Sequence, residues 1–384
     1  MQMRTDLILE DTTLRDGEQA PGVALSKVQK LEILQALLGA GVKWIEVGIP
    51  KMGGEELDYL HASLDYADQA VLVAWNRGVK DDICFSLDMG FKAVHIGLPT
   101  SDVHLKSSVA KDRSWVSQQA SDMVKYAKDR GAFVSISAED VGRTDASFLQ
   151  DYAGIVAEAG ADRLRLSDTI GILGPEGYAE RVSFAVRAAD IAVHCHCHND
   201  FGLAVANTIA GLKAGAKFFH VCVNSMSERA GMPDLAQMVM ALKCIYDRDL
   251  GIDTTKLTDL ANLVSNHTGV ANEPWRPVVG KNVFAHESGI HSNGMLKDPR
   301  SFEPISPDEV GGTRRIVIGK HAGRAAIEYT LKNANIAVAP DLLVDCLDKV
   351  RQQSILQGSE ITSAQLIDIY RAVESDATGN AAPN

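Results

Sequence analysis

Residues 163–200 read RLRLSDTIGILGPEGYAERVSFAVRAADIAVHCHCHND. This stretch contains a β-rich apolar run, a polar turn, a segment of helical periodicity and then a second β-rich run. The same pattern recurs from the start of the chain to about residue 250. Eight strand–helix units in about 250 residues are the number and the length typical of a TIM barrel. We therefore predict an α/β fold, with a (β/α)₈ TIM-barrel catalytic domain over residues 1–255.

A doubly wound open sheet is the alternative to a barrel for alternating strands and helices. Such a sheet usually carries a glycine-rich phosphate loop after its first strand, whereas here the first strand runs into DTTLRDGEQ (11–19). The barrel is therefore favoured. Its eight predicted strands are LILED (7–11), WIEVGI (44–49), AVLVAW (70–75), AVHIGL (93–98), FVSISAE (133–139), RLRLSD (163–168), AVHCHCH (192–198) and FFHVCV (218–223).

The pattern changes after residue 255. Residues 255–269 and 342–357 have helical periodicity, and a stretch rich in glycine and histidine lies between them at 284–299. We predict a mainly helical C-terminal subdomain over residues 256–374. The small polar residues 375–384 predict a flexible tail.

Composition narrows the class of protein. The formal net charge of −12 argues against a nucleic-acid or anionic-membrane partner. The sequence has no apolar run of about 18 residues, and its first residues lack the apolar core of a signal peptide. Six cysteines in 384 residues do not resemble a disulfide framework. We expect a cytoplasmic enzyme.

The predicted seventh strand carries the strongest chemical signal. Alternation along a strand places His194, His196 and His198 on one face and the two intervening cysteines on the other. His196 and His198 lie nearer the C-terminal end of the strand, where barrel enzymes place their catalytic groups. With Asp16 after the first strand, they would form a two-histidine, one-carboxylate metal site. Ordinary hydrogen-bonded interior histidines, or a zinc site at the cysteines, are the alternatives.

Other strand ends supply further candidates. Arg15 could stabilise negative charge on a ketone oxygen, or form a surface salt bridge. Glu139 could be a base or an orienting carboxylate. Thr169 could donate to a substrate carboxylate, or cap the following helix.

A cluster in the C-terminal subdomain adds candidates of a different kind. His286, Glu287 and His291 lie together in a glycine-flanked segment. Histidine is the natural acid/base at neutral pH, so His291 is a candidate catalytic group. Glu287 is a candidate substrate ligand. The alternative is that this loop is purely structural.

Several segments resemble one family. DTTLRDGEQ (11–19), HCHNDFGLAVANT (196–208), SERAG (227–231), FAHESGIH (284–291) and VIGKHAGR (317–324) are similar to the Claisen-condensing metalloenzymes that include isopropylmalate, homocitrate and citramalate synthases. The resemblance covers roughly residues 5 to 370. Within this family, WIEVGIPKMGGEE, VAWNR, AEDVGRTD and RLRLSDTIGIL most resemble the homocitrate synthases of nitrogenase-cofactor assembly.

The resemblance implies a reaction and a set of roles. Asp16, His196 and His198 match metal ligands, and Arg15 and Gln19 match groups that hold the oxo-acid. Such an enzyme removes a proton from acetyl-CoA, adds the resulting enolate to the ketone of a 2-oxo acid, and hydrolyses the thioester. The implied cofactor is a divalent ion: zinc, manganese, magnesium or cobalt.

The same resemblance assigns the remaining candidates. Glu139 and Thr169 match substrate-site residues. His291 matches a histidine tied to proton transfer, which members of the family supply from the neighbouring subunit of a homodimer. We therefore expect a homodimer in which the segment around His291 reaches the neighbouring subunit.

Two departures leave the acceptor open. Met232 stands where many members have asparagine, and Phe302 stands where relatives often have tyrosine. The acceptor implied by the closest resemblance is 2-oxoglutarate, which would give homocitrate. The alternatives are 2-oxoisovalerate, pyruvate or phosphonopyruvate with the same chemistry, a carbon–carbon lyase, or a non-catalytic metal-binding protein. The lyases use a cysteine in a glycine-rich loop, and residues 224–234 and 286–294 contain none.

Overall fold

A computed structural model describes residues 3–379 of the chain. The eight expected strands form one closed parallel barrel, in which the first strand pairs with both the second and the eighth. The predicted TIM barrel is confirmed. The strands are β1 (Ile8–Asp11), β2 (Trp44–Gly48), β3 (Val71–Arg77), β4 (Ala93–Gly97), β5 (Phe133–Glu139), β6 (Arg163–Asp168), β7 (Ala192–Cys197) and β8 (Phe218–Val221).

Helices follow the strands as the alternating pattern predicts. Side-chain caps begin several of them: Ser26 accepts from the backbone N–H of Gln29, and Asp145 from that of Phe148. The helices are α1 (Lys27–Gly39), α2 (Gly54–Ser63), α3 (Lys80–Met89), α4 (Asp102–Ser107), α5 (Arg113–Asp129), α6 (Ala146–Glu158), α7 (Pro175–Ala188), α8 (Ala204–Lys213), α9 (Leu235–Tyr246) and α10 (Leu257–Thr268).

The floor of the barrel is aromatic and carries one buried cation. The ring of Trp44 meets the edges of Phe133 and Phe218 at centroid distances of 5.0 and 5.3 Å. The Arg163 guanidinium lies 4.8 Å from the Phe218 ring and 5.3 Å from the Trp44 ring. These contacts stabilise a desolvated cation through the negative faces of the rings.

Above this floor, charged side chains take the place of the branched aliphatic layers common in such barrels. Glu10 of β1 lies 2.5 Å from Nη1 of Arg163 and 3.3 Å from Nη2 of Arg165. The same Nη2 of Arg165 donates to Glu46 Oε1 of β2 at 2.6 Å. All four side chains are essentially fully buried, and the two positive charges balance the two negative ones. Mutual pairing is what makes burial of such charges tolerable.

The described residues of the C-terminal region, 273–379, form a compact unit of their own. It is mainly helical, as predicted, with α11 (Gly289–Lys297), α12 (Arg324–Asn333), α13 (Leu343–Gln357) and α14 (Ser363–Gly379). A short parallel pair, β9 (Ala285–His286) and β10 (Arg315–Ile316), accompanies the helices. Its core consists of buried side chains including Ile327, Leu331 and Tyr370.

Two boundaries differ from those expected. The chain divides at residues 272/273 rather than 255/256, because α10 belongs to the barrel unit. The Gln29 side chain of α1 donates to the carbonyl of His267, and Asn224 donates to the carbonyl of Ala261. The expected flexible tail begins too early, since α14 continues through Gly379. The last five residues of that tail lie outside the described residues.

We predict that Glu10→Leu lowers the free energy of unfolding by about 3–5 kcal/mol, because it leaves a buried guanidinium group without the carboxylate that neutralises it. Chemical denaturation followed by tryptophan fluorescence measures the change. The matched control is Asp88→Ala, which removes the ion pair between the exposed Asp88 and Arg130. That change should cost less than about 1 kcal/mol. Equal losses in the two variants would contradict the stabilising role assigned to the barrel charges.

Candidate metal centre and active site

A cavity of about 250 Å³ opens at the C-terminal ends of the barrel strands. This is the end at which barrel enzymes place their chemistry. It brings together seven residues selected from the sequence. The cavity is lined by Arg15, Asp16, Gln19, Trp75, His95, Glu139, Arg165, Ser167, Thr169, His196, His198, Glu228 and Arg229.

The segment after β1 is fixed by its own hydrogen bonds. The Asp11 carboxylate accepts from the backbone N–H and the hydroxyl of Thr13, at 2.9 and 3.0 Å. The Thr12 hydroxyl donates to Glu46 and accepts from the backbone N–H of Asp16. This tight turn places Arg15 and Asp16 at the cavity, both at least nine-tenths buried. The hydrogen bonds within the segment DTTLRD therefore fix the positions of the two charged side chains.

The predicted metal ligands converge. His196 Nε2 lies 3.5 Å from Asp16 Oδ2 and 3.3 Å from His198 Nε2. Ligand atoms about 2.1 Å from one ion lie roughly 3 to 3.5 Å apart in octahedral or tetrahedral geometry. The spacing and the donor set of two imidazoles and one carboxylate therefore fit a divalent ion.

The protonation states of the three side chains suit the same role. Burial lowers the pKa of both His196 and His198, so their rings are neutral at neutral pH. Burial opposes ionisation of Asp16, but the charge of Arg15 and the hydrogen bond from Ser227 outweigh it and lower the pKa of Asp16. Metal ligands need neutral imidazole and ionised carboxylate, so no proton has to leave before an ion binds.

The cysteines of β7 face away from the cavity, as strand alternation predicts. A Cβ atom at Gly211 of α8 would lie 2.6 Å from the Sγ atom of Cys195, so this sulfur points at the helix. Cys197 contacts Thr208, also on α8. All six cysteines of the chain are free thiols. The two sulfurs are therefore packing groups and are poorly placed to join the histidines.

Arg15 is held from below and from the side. Its Nε donates to Glu46 Oε2 at 2.5 Å, and its Nη1 lies 2.9 Å from Asp16 Oδ2. Gln19 accepts from the same Nη1 at 3.3 Å. Burial opposes the positive charge, yet Asp16 and Glu46 together raise the pKa of Arg15. The alternative of a surface salt bridge is wrong, since this ion pair is buried.

Glu139 occupies its place because β4 ends in glycine. A Cβ atom at Gly97 would lie 2.6 Å from the Trp75 ring and 2.9 Å from Glu139 Oε1. Ser137 donates to Glu139 at 3.3 Å. Burial raises the pKa of Glu139, which makes the carboxylate a better proton acceptor than an exposed one.

Thr169 and Arg229 join three loops around the cavity. The Thr169 hydroxyl accepts from the backbone N–H of Asp140 at 2.9 Å. Arg229 donates to the Thr169 carbonyl at 2.6 Å and forms a two-pronged ion pair with Asp200. The loops after β6, β7 and β8 are thereby cross-linked. Thr169 does not cap the next helix, which begins at Pro175 with Gly174 as its N-cap.

The segment that departs from the family pattern supplies an unexpected contact. The hydroxyl of Ser227 donates a short hydrogen bond to Asp16 Oδ1. The bond leaves Oδ2 of Asp16 to face His196. Met232, in place of asparagine, is fully buried. Ser227 therefore restrains the carboxylate of Asp16, the predicted metal ligand. Ser227 belongs to the same segment as Met232, the residue that stands in place of asparagine.

The remaining candidates lie in the C-terminal unit. The ring of His291 stacks on Phe302 at a centroid distance of 4.1 Å, with 21° between the planes. Glu287 accepts from the backbone N–H of His321 at 3.1 Å and so fixes the GKHAG segment. Gly294 makes room for Phe302, because a Cβ there would lie 2.5 Å from that ring. The roles predicted for His291 and Glu287 remain predictions.

Sequence reasoning missed several residues of the cavity. Four lining residues lie within strands, where residue type alone does not distinguish them from ordinary strand residues: Trp75, His95, Arg165 and Ser167. Alternation along RLRLSD, which places Arg163, Arg165 and Ser167 on one face, is the signal that could have found two of them. Nothing in the sequence indicates that Ser227 contacts Asp16, because their separation is 211 residues.

Comparison with known families shows which family the chain belongs to. The family model described as HMGL-like matches residues 6–264, and one described as homocitrate synthase post-HMGL domain-like matches residues 278–356. The chain belongs to the HMGL-like family. The second match corresponds to the helical C-terminal unit.

Curated relatives of the HMGL-like family cover nearly the whole chain. A 2-phosphonomethylmalate synthase of Streptomyces rubellomurinus is 62% identical over 96% of this chain and 99% of its own length. A 2-isopropylmalate synthase of Caldanaerobacter subterraneus is 44% identical over 94% of each chain. Homocitrate synthase 1 of Nostoc is 42% identical over 95% of this chain and 97% of its own. These relatives support the family and not the narrower nitrogenase-type assignment.

Solved HMGL-like structures share the fold. HMG-CoA lyase of Bacillus subtilis aligns with a TM-score of 0.61 at 17% identity, over 70% of this chain and 96% of its own. Hydroxymethylglutaryl-CoA lyase of Pseudomonas aeruginosa gives 0.63 at 18%, over 71% and 96%. In residues 3–379, no helix has the length and apolar character needed to cross a lipid bilayer.

We predict that His196→Ala removes metal retention, with a loss of affinity beyond the roughly 10- to 100-fold typical of outer-shell partners. The measurement is metal content per chain after gel filtration. Cys195→Ala is the matched control, since it truncates the neighbouring residue on the opposite face of β7 and should leave retention unchanged. A His196→Ala variant that keeps one ion per chain would show the ligand set to be wrong.

Proposed function

We propose that this chain condenses acetyl-CoA with phosphonopyruvate to give 2-phosphonomethylmalate and free coenzyme A. The observation that carries the acceptor is the 62% identity to a 2-phosphonomethylmalate synthase over nearly the full length of both chains. The methyl carbon of the acetyl group loses a proton and forms a bond to the ketone carbon, whose oxygen takes up a proton to become a hydroxyl. Water then cleaves the thioester to a carboxylate and the free thiol. The product name of that relative matches this connection of atoms.

The lining of the cavity supports an acceptor with two acidic ends. Three guanidinium groups line it, those of Arg15, Arg165 and Arg229, together with the carboxylates of Asp16, Glu139 and Glu228 and neutral hydroxyl, amide and imidazole groups. With the proposed divalent ion bound, the positive charges of the lining outnumber the negative ones. In the described part of the chain, Trp75 is the one apolar side chain of the lining. A branched alkyl acceptor such as 2-oxoisovalerate would bury its methyl groups against these polar atoms, which is unfavourable.

The proposed site assigns each side chain a task. Asp16, His196 and His198 would hold the divalent ion, which when bound supplies Lewis-acid polarisation of a ketone. Arg15 keeps a permanent positive charge near the oxygen that becomes negative, and Glu46 prevents it from turning away. Gln19 and Thr169 orient the acceptor. Glu139 accepts or relays a proton. Because burial raises its pKa, the carboxylate becomes able to accept a proton only as the pH rises above that raised pKa.

The second candidate acceptor is 2-oxoglutarate, the substrate implied by the closest sequence resemblance. Two facts favour it: the charged lining and the 42% identity to a homocitrate synthase. Its second acidic end is a carboxylate that lies one methylene further from the ketone than the phosphonate of phosphonopyruvate, so both acceptors offer a second anion to the same arginines. The two proposals differ only in the acceptor.

A panel assay tests the acceptor and the reaction together. We expect thiol release from acetyl-CoA to be fastest with phosphonopyruvate and slower with 2-oxoglutarate, pyruvate and 2-oxoisovalerate. Release should stop after chelation and return when Zn²⁺, Mn²⁺, Mg²⁺ or Co²⁺ is added. A higher kcat/KM with 2-oxoglutarate would transfer the assignment to homocitrate synthesis. No thiol release with any acceptor would overturn the condensation itself.

We further propose that the chain is a homodimer in which His291 acts in proton transfer at the site of the neighbouring subunit. Co-expression of an Asp16→Asn chain with a His291→Ala chain tests this arrangement. Each parent dimer should lose activity by about 10²- to 10⁴-fold. If His291 acts across the dimer, the mixed dimer keeps one intact site, and the mixture should recover about a quarter of the normal rate. No recovery would place His291 in its own subunit's site.

A further inference from the structure

A chain of hydrogen bonds leads from His196 into the lumen of the barrel. His196 Nδ1 lies 2.8 Å from His220 Nδ1, and His220 Nε2 lies 2.9 Å from Glu10 Oε1. His220 stands on β8 and Glu10 on the adjacent β1. Both are fully buried, so no bulk water competes for these hydrogen bonds. The chain ends on the nitrogen of His196 that faces away from Asp16.

The ion pairs at the foot of this chain fix the direction of every hydrogen bond. Glu10 is paired with Arg163 and Arg165, so it is a carboxylate and can only accept. His220 Nε2 must therefore carry the proton that it donates to Glu10. A neutral imidazole has one proton, so His220 Nδ1 is an acceptor. The ring is fully buried beside the Arg163 and Arg165 guanidinium groups, and this surrounding positive charge disfavours a second proton on it.

The direction is then passed on to His196. Because His220 Nδ1 accepts the hydrogen bond, His196 Nδ1 must carry a proton and act as the hydrogen-bond donor. His196 Nε2 is left with a free lone pair, and this is the atom that lies 3.5 Å from Asp16 Oδ2 and 3.3 Å from His198 Nε2. The opposite tautomer would direct an N–H group into the centre of the proposed ligand set.

We propose that His220, directed by Glu10, is a positioning residue that fixes the tautomer and the ring orientation of His196 for metal binding. The inference rests on the proposed function, because it presumes that Asp16, His196 and His198 hold the ion. Metal-binding histidines commonly donate a hydrogen bond from the N–H group of their second ring nitrogen to such a partner, and the partner raises the affinity for the metal. Here the partner is a second imidazole, whose own proton is held by a carboxylate paired with two arginines.

A second ion at Glu10, His194 and His220 is the competing interpretation of this cluster, since their ligand atoms also lie close together. The arginines argue against it, because a divalent ion there would face the positive charges that already neutralise Glu10. His194 instead provides a control. Its ring lies 4.3 Å from that of His220, is equally buried, and has neither nitrogen hydrogen-bonded to a described residue.

The test measures Co²⁺ binding to the metal-free protein, by its visible absorption and by competition with a chelator. His220→Phe keeps an aromatic ring and removes both nitrogens. His220→Asn keeps an acceptor oxygen at the position of Nδ1. His194→Phe is the matched control on the neighbouring strand. Thermal denaturation establishes that each variant is folded, and His220→Leu replaces His220→Phe if the latter is not.

The expected result is one Co²⁺ per chain in the wild type. His220→Phe should bind about 10- to 100-fold more weakly, the loss typical of an outer-shell partner. His220→Asn and His194→Phe should stay within about threefold of the wild type, since neither removes the acceptor for His196. Equal affinity in all four proteins, or two ions per wild-type chain, would overturn the positioning role. A wild type that binds no Co²⁺ would instead refute the proposed metal site and leave the inference without its basis.

Discussion

The pairing of carboxylates and guanidinium groups inside the barrel is the interaction on which the rest of the structure depends. Glu10 and Glu46 face Arg163 and Arg165, and Glu46 continues the network to Arg15 at the mouth. Removal of any one member would leave its partner as an unpaired buried charge, which lowers the free energy of unfolding by several kcal/mol. The network therefore does two things at once: it fills the lumen, and it fixes the orientation of a cation that faces the cavity.

Much of the fold follows from the sequence because the barrel repeats one local pattern. The strands begin and end within about two residues of their predicted positions, as boundaries read from periodicity usually do. The domain boundary differs because it depends on where α10 packs, and periodicity detects a helix without saying which unit it joins. The partners of Arg163 and Arg165 were equally hidden, since they meet glutamates more than a hundred residues away once the barrel has closed.

The candidate site divides along the same line. Asp16, His196 and His198 were predictable because strand alternation and the C-terminal end of the barrel are rules of local geometry. Ser227 and His220 were not, because their contacts with Asp16 and His196 depend on how β8 and its loop lie beside β1 and β7. The candidate ligands are thus recognisable from local patterns, whereas the groups that contact them are found only in the three-dimensional structure.

The arrangement of charge in the lumen also determines which parts of the chain depend on each other. The first half of the barrel contributes the carboxylates of Glu10 and Glu46, and the second half contributes the guanidinium groups of Arg163 and Arg165. Every one of these ion pairs therefore joins one half of the sequence to the other, so neither half on its own would contain partners for the charges that it contributes to the centre of the barrel.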